Sequence, residues 1–311
     1  MTKPVYPNSF IIGVQKAGTT TLDDWLSQHP QVFCYDSLKD VHLFGLLEKE
    51  AIEKKLLQEP SVYKTEPVVL QSAVNYIFYP EFLKAIKEYN ANAKLIVIIR
   101  NPVDRAISAY SYFKKMLREK RDIKEALLYE PAEVIPFSKD NNDFTYLEHG
   151  LYYRQIKACL DLFDPQQLLV LDYEEMVKQP EMLTKKIYSF LQVDTAFVPD
   201  FTPKNITGEV KNQWLQQNLI KQNKLKKIIV KYFVDPWMPR SKRKLMKQKM
   251  FEMNTGKKNT PAKNEKTELP EDIKLIKEQL PKYFIEDVKQ LDVLLGTKFS
   301  DKWFATVKSA Q

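Results

Sequence analysis

Two short segments carry residue types that can hold a multiply charged anion. The first, Gly13-Val-Gln-Lys-Ala-Gly-Thr-Thr-Thr21, links a short apolar run to an amphipathic stretch. A glycine-containing turn between a strand and a helix aims several backbone N–H groups at one point beside a helix N-terminus. Such a point accepts phosphate or sulfate. Gly13 and Gly18 have the spacing of a Walker A loop, yet Thr19 stands where that motif needs its lysine. The lysine comes earlier, at position 16. From mid-loop its ammonium can lean over the bridging oxygen of a departing group, whereas the Walker lysine grips terminal phosphates. The second segment is Ile98-Ile-Arg-Asn-Pro-Val-Asp-Arg-Ala-Ile-Ser-Ala-Tyr110. Arg100 ends an apolar run, and doubly wound sheets bind ligands at the carboxyl ends of their strands. Pro102 and Asp104 suit the first turn of a helix. Ser108 lies two turns in, so one phosphate could meet the Arg100 fork and the Ser108 hydroxyl together. Taken singly, each segment also reads blandly, as a tight turn with an exposed lysine and as an arginine in an ion pair.

These residues need elements to position them. Runs over 10–14, 31–34, 68–71, 94–99 and 167–171 are continuous in β-branched or large apolar side chains, as strands covered on both faces are. Helical periodicity separates them over 21–28, 80–89 and 103–118; in the first, Leu22, Trp25 and Leu26 share a face before Pro30 ends it. Alternation of this kind predicts an α/β fold with a largely parallel sheet. After about 194 the character changes. Pro199 and Pro203 open a loop, Lys204-Asn-Ile-Thr-Gly208, followed by a lysine-rich helical stretch and a polar linker over 254–270. An amphipathic helix over 272–295 follows, with Ile276, Leu280, Ile285, Val288, Leu291 and Leu295 as its core face. The expected organisation is one domain over 1–311, with an α/β core over 8–193 and a helical part over 194–311.

Composition narrows the class. With 311 residues, 44% hydrophobic and 12% aromatic, the chain can bury a large core, which excludes disorder throughout. Cys34 and Cys159 make neither a disulfide framework nor a four-ligand zinc site, and read as reduced thiols. The N-terminal apolar run is too short for a signal-peptide core, and no segment reaches the ~20 apolar residues of a membrane span. A cytoplasmic protein is expected. Net charge is +8, with 16 basic against 4 acidic side chains between Lys211 and Glu268. That stretch is either a solvated lysine-rich helical face or a groove for polyanions.

Together the two anion segments resemble the PAPS-dependent sulfotransferases (PAPS, 3'-phosphoadenosine-5'-phosphosulfate). Gln15-Lys-Ala-Gly-Thr-Thr-Thr-Leu22 is similar to their 5'-phosphosulfate loop, and Arg100-Asn-Pro-Val-Asp-Arg-Ala-Ile-Ser-Ala-Tyr110 to their 3'-phosphate motif. The heparan sulfate sulfotransferases and their bacterial relatives are the branch most resembled. Asp40-Val-His-Leu-Phe44 stands where that branch has an acidic residue and then His, and Gly150-Leu-Tyr-Tyr153 with Gln155 and Leu168-Leu-Val-Leu-Asp-Tyr-Glu-Glu175 add to the likeness. A looser match continues to Trp303.

The resemblance implies a P-loop-like parallel β-sheet flanked by helices, with a helical C-terminal extension. It implies PAPS as donor and no metal. Lys16 and the amides of Ala17, Gly18, Thr19 and Thr20 would hold the 5'-phosphosulfate, and Arg100 and Ser108 the 3'-phosphate. Asp40 would be the general base, with His42 as fallback; the branch usually carries glutamate at position 40. Lys204, Gly208 and Lys211 would lie on the 3'-phosphate side, in a loop of bacterial style. Leu70-Gln-Ser-Ala-Val-Asn-Tyr76 lacks the branch's Gly-Glu pair. The implied acceptor is a small molecule or a carbohydrate, lined by residues 110–143 and the basic C-terminal stretch.

Two other readings remain. A P-loop kinase or NTPase predicts a Walker lysine and a strand ending in a magnesium-binding aspartate, where this chain has Thr19 and Arg100. A non-enzymatic polyanion binder would use the basic 211–268 stretch. No RNA- or DNA-binding module is recognisable, so nucleic acid is not an expected partner.

Overall fold

The computed structural model describes residues 4–35, 38–57, 63–134, 142–202 and 270–308. Strands β1 (Ser9–Gly13), β2 (Val32–Cys34), β3 (Val68–Ser72), β4 (Lys94–Ile99) and β5 (Leu168–Asp172) form one sheet in the order β2-β3-β1-β4-β5, and every pairing is parallel. Ser9 lies opposite Leu70 on one side and Lys94 on the other, and the register with β4 shifts between Ile11 and Gly13. The inner strands are buried almost throughout, which is why their sequences run apolar without alternation.

The chain leaves β1 towards β2 on one side of the sheet and leaves β4 towards β5 on the other. β1 and β4 are neighbours, so a crevice opens between their carboxyl ends, at the switch point where such sheets take ligands. Helix α1 (Thr19–Leu26) follows β1 and buries Leu22, Trp25 and Leu26, as its spacing predicts. Helices α2 (Lys49–Leu56) and α3 (Pro80–Tyr89) flank β3 in the chain. Helix α4 (Pro102–Lys115) follows β4; Pro102 opens it, and the Asn101 side chain caps it by accepting from the Val103 N–H at 2.9 Å and the Asp104 N–H at 3.4 Å. Helix α5 (Tyr152–Leu162) precedes β5, and α6 (Tyr173–Lys178) and α7 (Pro180–Leu191) follow it.

The closing helix expected over 272–295 is two helices, α8 (Glu271–Gln279) and α9 (Ile285–Leu295), with a 3-10 turn over Leu280–Tyr283 between them. The correction has a simple cause: Pro281 has no N–H to give the helical ladder. Its ring and Leu280 are buried, as are Ile276, Phe284, Val288 and Leu291, while Ile285 and Leu295 are partly buried. Helix α10 (Phe299–Lys308) ends the described chain. Helix α9 packs on α5, and Asp287 accepts the Tyr153 N–H at 3.1 Å. Gly150 makes the approach possible, since a Cβ there would stand 2.7 Å from the Phe284 ring. The C-terminal helices 270–308 are thus joined to the α/β layer. Among the described residues no helix is long and apolar enough to cross a membrane.

Candidate active site

The loop between β1 and α1 is held by its own backbone. The Val14 N–H donates to the Ile98 carbonyl of β4 at 2.9 Å, and the Ala17 N–H to the Val14 carbonyl at 3.2 Å. Lys16 adopts φ +68° and Gly18 φ +90°. Two left-handed residues in so short a span turn successive amides inward as a nest. Gly18 is required twice over: its φ disfavours any side chain, and a Cβ would stand 2.4 Å from Met176 Cε and 3.2 Å from the Tyr173 ring. Gly18 is the N-cap of α1; the Thr21 N–H already donates to its carbonyl at 3.0 Å, while the Thr19 and Thr20 amides lie ahead of the helical ladder and present partial positive charge. Because the Ala17 amide is engaged inside the turn, the amides open to an anion there are those of Gly18, Thr19 and Thr20.

Arg100, at the end of β4, closes on this loop. Its Nη1 donates to the Lys16 carbonyl at 3.2 Å, and its guanidinium lies over the Tyr173 ring, 4.6 Å from the centroid. Its own carbonyl accepts from the Tyr152 hydroxyl at 2.7 Å. The two segments singled out in the sequence therefore face one another across the crevice. Ser108 lies half-buried two turns into α4.

The Lys16 ammonium sits over the Tyr112 ring, 4.1 Å from its centroid. Burial, with the nearby positive charges of Arg100 and then Lys115, holds its pKa below the ordinary lysine value. Tyr112 is itself pushed up, first by burial and then by the Asp40 carboxylate. Asp40 is exposed, with φ +58°, and its N–H donates to the Ser72 carbonyl at 2.8 Å. The turn that presents it is anchored through Lys39, which pairs with Asp23 of α1 at 2.6 Å, while the Ser72 hydroxyl also bonds Asp23. Lys16 thus lies on the Tyr112 ring, and the Asp40 charge is near enough to act on its hydroxyl. His42 lies elsewhere: it is buried among aromatic rings, edge-on to Tyr76 with centroids 5.3 Å apart and against Phe82 at 5.4 Å. Lys204, Gly208 and Lys211 lie outside the described residues.

Three residues at the site were not singled out by sequence reasoning. Tyr112 is one turn beyond Ser108 on the same helix, a spacing that could have flagged it. Tyr173 follows directly on β5, and an aromatic residue at a strand's carboxyl end was a usable signal. Tyr152 stood in a recognised motif, but its hold on the Arg100 carbonyl needs the tertiary structure.

A parallel sheet of this order, with a mid-loop lysine, helix-terminal amides and a strand-end arginine at its switch point, defines a P-loop-like protein built to hold anionic phosphate or sulfate groups. Residues 6–256 match the sulfotransferase domain family, and the chain belongs to that family. It is 22% identical over 293 residues to the membrane-associated sulfotransferase kil1 of Dictyostelium discoideum, covering 69% of this chain and 62% of that protein. It is 25% identical over 190 residues to heparan sulfate glucosamine 3-O-sulfotransferase 5 of Mus musculus, covering 60% and 54%. The chain thus spans between about half and two thirds of these relatives. Among solved structures, the sulfotransferase from Alicyclobacillus acidocaldarius superposes with a TM-score of 0.56 at 28% identity, covering 69% of this chain and 90% of that one.

Proposed function

We propose that this chain transfers a sulfuryl group from PAPS to a hydroxyl or amine of an acceptor and releases PAP, the 3',5'-bisphosphate. The observation that carries the reading is the 3.2 Å contact between Arg100 and the Lys16 carbonyl, which brings the two anion-binding segments to one crevice. Helix-terminal amides, a glycine cradle and two cations fit a donor with a phosphosulfate at one end and a phosphate at the other. PAPS would supply an activated sulfuryl group. Lys16 and the amides of Gly18, Thr19 and Thr20 bind its 5' end, with Ala17 bracing the turn, and Arg100 and Ser108 take the 3'-phosphate. Asp40 accepts the acceptor's proton as the acceptor atom bonds to sulfur, and Lys16 neutralises the bridging oxygen as its bond to sulfur breaks. The surface position of Asp40, against the enclosed position of His42, favours Asp40 as base. No step is assigned to a metal. A carbohydrate acceptor is supported by the heparan sulfate enzyme among the relatives; a small molecule is the other class.

The test pairs binding with transfer. PAP should raise the unfolding temperature well above what AMP or magnesium-ATP achieves, because AMP lacks the 3'-phosphate. Labelled sulfate from PAPS should then appear on one class within a panel of sugars, lipids and phenols. Equal stabilisation by AMP and PAP would remove the role given to Arg100 and Ser108. Magnesium-dependent ATP binding would favour the kinase reading.

A further inference from the structure

We propose that Tyr112 is a positioning residue for the transfer, its ring pinning the Lys16 ammonium at the mouth of the loop until the donor arrives. The inference rests on the sulfotransferase reading for its link to turnover, but the contact itself does not. The ammonium stands 4.1 Å from the ring centroid, well inside cation–π range. Lys16 needs such a partner. It is half-buried on a left-handed residue, and its backbone carbonyl already takes the Arg100 guanidinium. Burial disfavours its charge most, and Arg100 at the end of β4 and then Lys115 on α4 add repulsion.

The ring supplies attraction without a carboxylate. That distinction matters at this spot, because a fixed anion beside Lys16 would repel the phosphosulfate it must receive. A quadrupole holds the cation weakly enough to release it. The ring has one face on Lys16 while its hydroxyl feels Asp40, with Arg118 and Asp143 as the other charged groups around it. Tyr112 is 39% exposed, so replacing it leaves the hydrophobic core intact.

Two readouts test this on the full 311-residue chain. The first needs no donor or acceptor: the pH dependence of Lys16 acylation by an amine-reactive ester, followed by peptide mass spectrometry. Tyr112→Leu keeps an apolar neighbour but loses the quadrupole, so the midpoint for Lys16 should fall by about one pH unit. Tyr112→Phe keeps the ring and should titrate like the parent. The second readout is turnover. Tyr112→Leu should lower kcat by about tenfold with little change in the KM for PAPS, since the Lys16 contact matters most in the transition state, and Tyr112→Phe should restore it. If Tyr112→Leu does not fold, Tyr112→Met carries the same comparison. An unchanged Lys16 midpoint in the folded leucine or methionine variant overturns the inference. So does an equal shift in Tyr112→Phe, which would make the hydroxyl the active group. Absence of sulfate transfer in the parent would sink the sulfotransferase reading while leaving the acylation result to stand for the contact.

Discussion

Lys16, Gly18 and Asp40 make separable contributions, and substitutions can tell them apart. Lys16→Ala removes the cation from a developing oxyanion, which typically costs ~3 kcal/mol of barrier, a hundredfold or more in kcat. PAP should still stabilise that variant in part, because the amides and Arg100 remain. Gly18→Ala attacks the cradle. The left-handed φ of +90° is strained for alanine, and the new Cβ would push on Met176 and the Tyr173 ring that carries Arg100. A stability loss of about 1–3 kcal/mol is expected, together with loss of PAP stabilisation. Urea unfolding with and without PAP measures both. With Asp40 as the proposed base, Asp40→Asn should reduce kcat by about a hundredfold or more, whereas His42→Gln should chiefly lower the unfolding temperature, since it places an amide among rings. A His42 variant that folds normally but loses transfer would reverse the assignment.

At the scale of elements, the ends of α4 and the turn before α5 do the positioning. Asn101 caps α4 and its Nδ2 also donates to the Trp303 carbonyl at 3.4 Å, so Asn101→Ala should cost about 1 kcal/mol, measurable in urea. His149, in the 3-10 turn Glu148–Gly150, is fully enclosed, stacked 3.9 Å from Phe78, with Nε2 bonded to the Asn142 carbonyl at 3.0 Å. Burial first, and then the Arg105 charge, lower its pKa from 6.5 to about 3. The unfolded chain therefore takes up a proton at that histidine below pH 6.5 that the folded chain refuses. Stability should fall as pH drops from about 6.5 towards 3, by up to about 1.4 kcal/mol per unit from this group. A flat stability–pH curve through that window would contradict the buried neutral imidazole. The strands and the helices α1 and α3 were legible within a residue or two, because runs of apolar residues and proline boundaries are local signals; α4 stops at Lys115 rather than 118, and α2 was not read. The break at Pro281 was not read, although a proline inside a periodic stretch ends or kinks a helix; Ile276, Leu280 and Val288 keep to one apolar face across it and conceal the interruption.

At the scale of the whole molecule, the donor crevice is braced from the C-terminal end of the chain. Lys302 of α10 pairs with Asp172, the buried N-cap of α6, and so fixes the element that carries Tyr173 beneath Arg100. Trp303 stacks on Phe299 at 4.6 Å and meets the Tyr152 ring edge-on at 6.3 Å. Tyr152 in turn holds the Arg100 carbonyl. None of this was legible from the sequence. The looser match that runs to Trp303 reached this part of the chain, but contacts over 130 positions or more leave no local periodicity to read. The coupling has a consequence at the far end of the crevice. Trp303→Ala removes a buried indole and should cost about 3–5 kcal/mol of stability. It should also free the Tyr152 ring to move and, through its hydroxyl, loosen Arg100. Because the proposed site gives the 3'-phosphate to Arg100 and the 5' end to the amides of α1, the loss should fall on PAP more than on AMP. The ratio of their dissociation constants, measured by calorimetry below the variant's unfolding temperature, should narrow towards one. A ratio equal to the parent's, in a variant destabilised as expected, would show that α10 supports the fold without reaching the site.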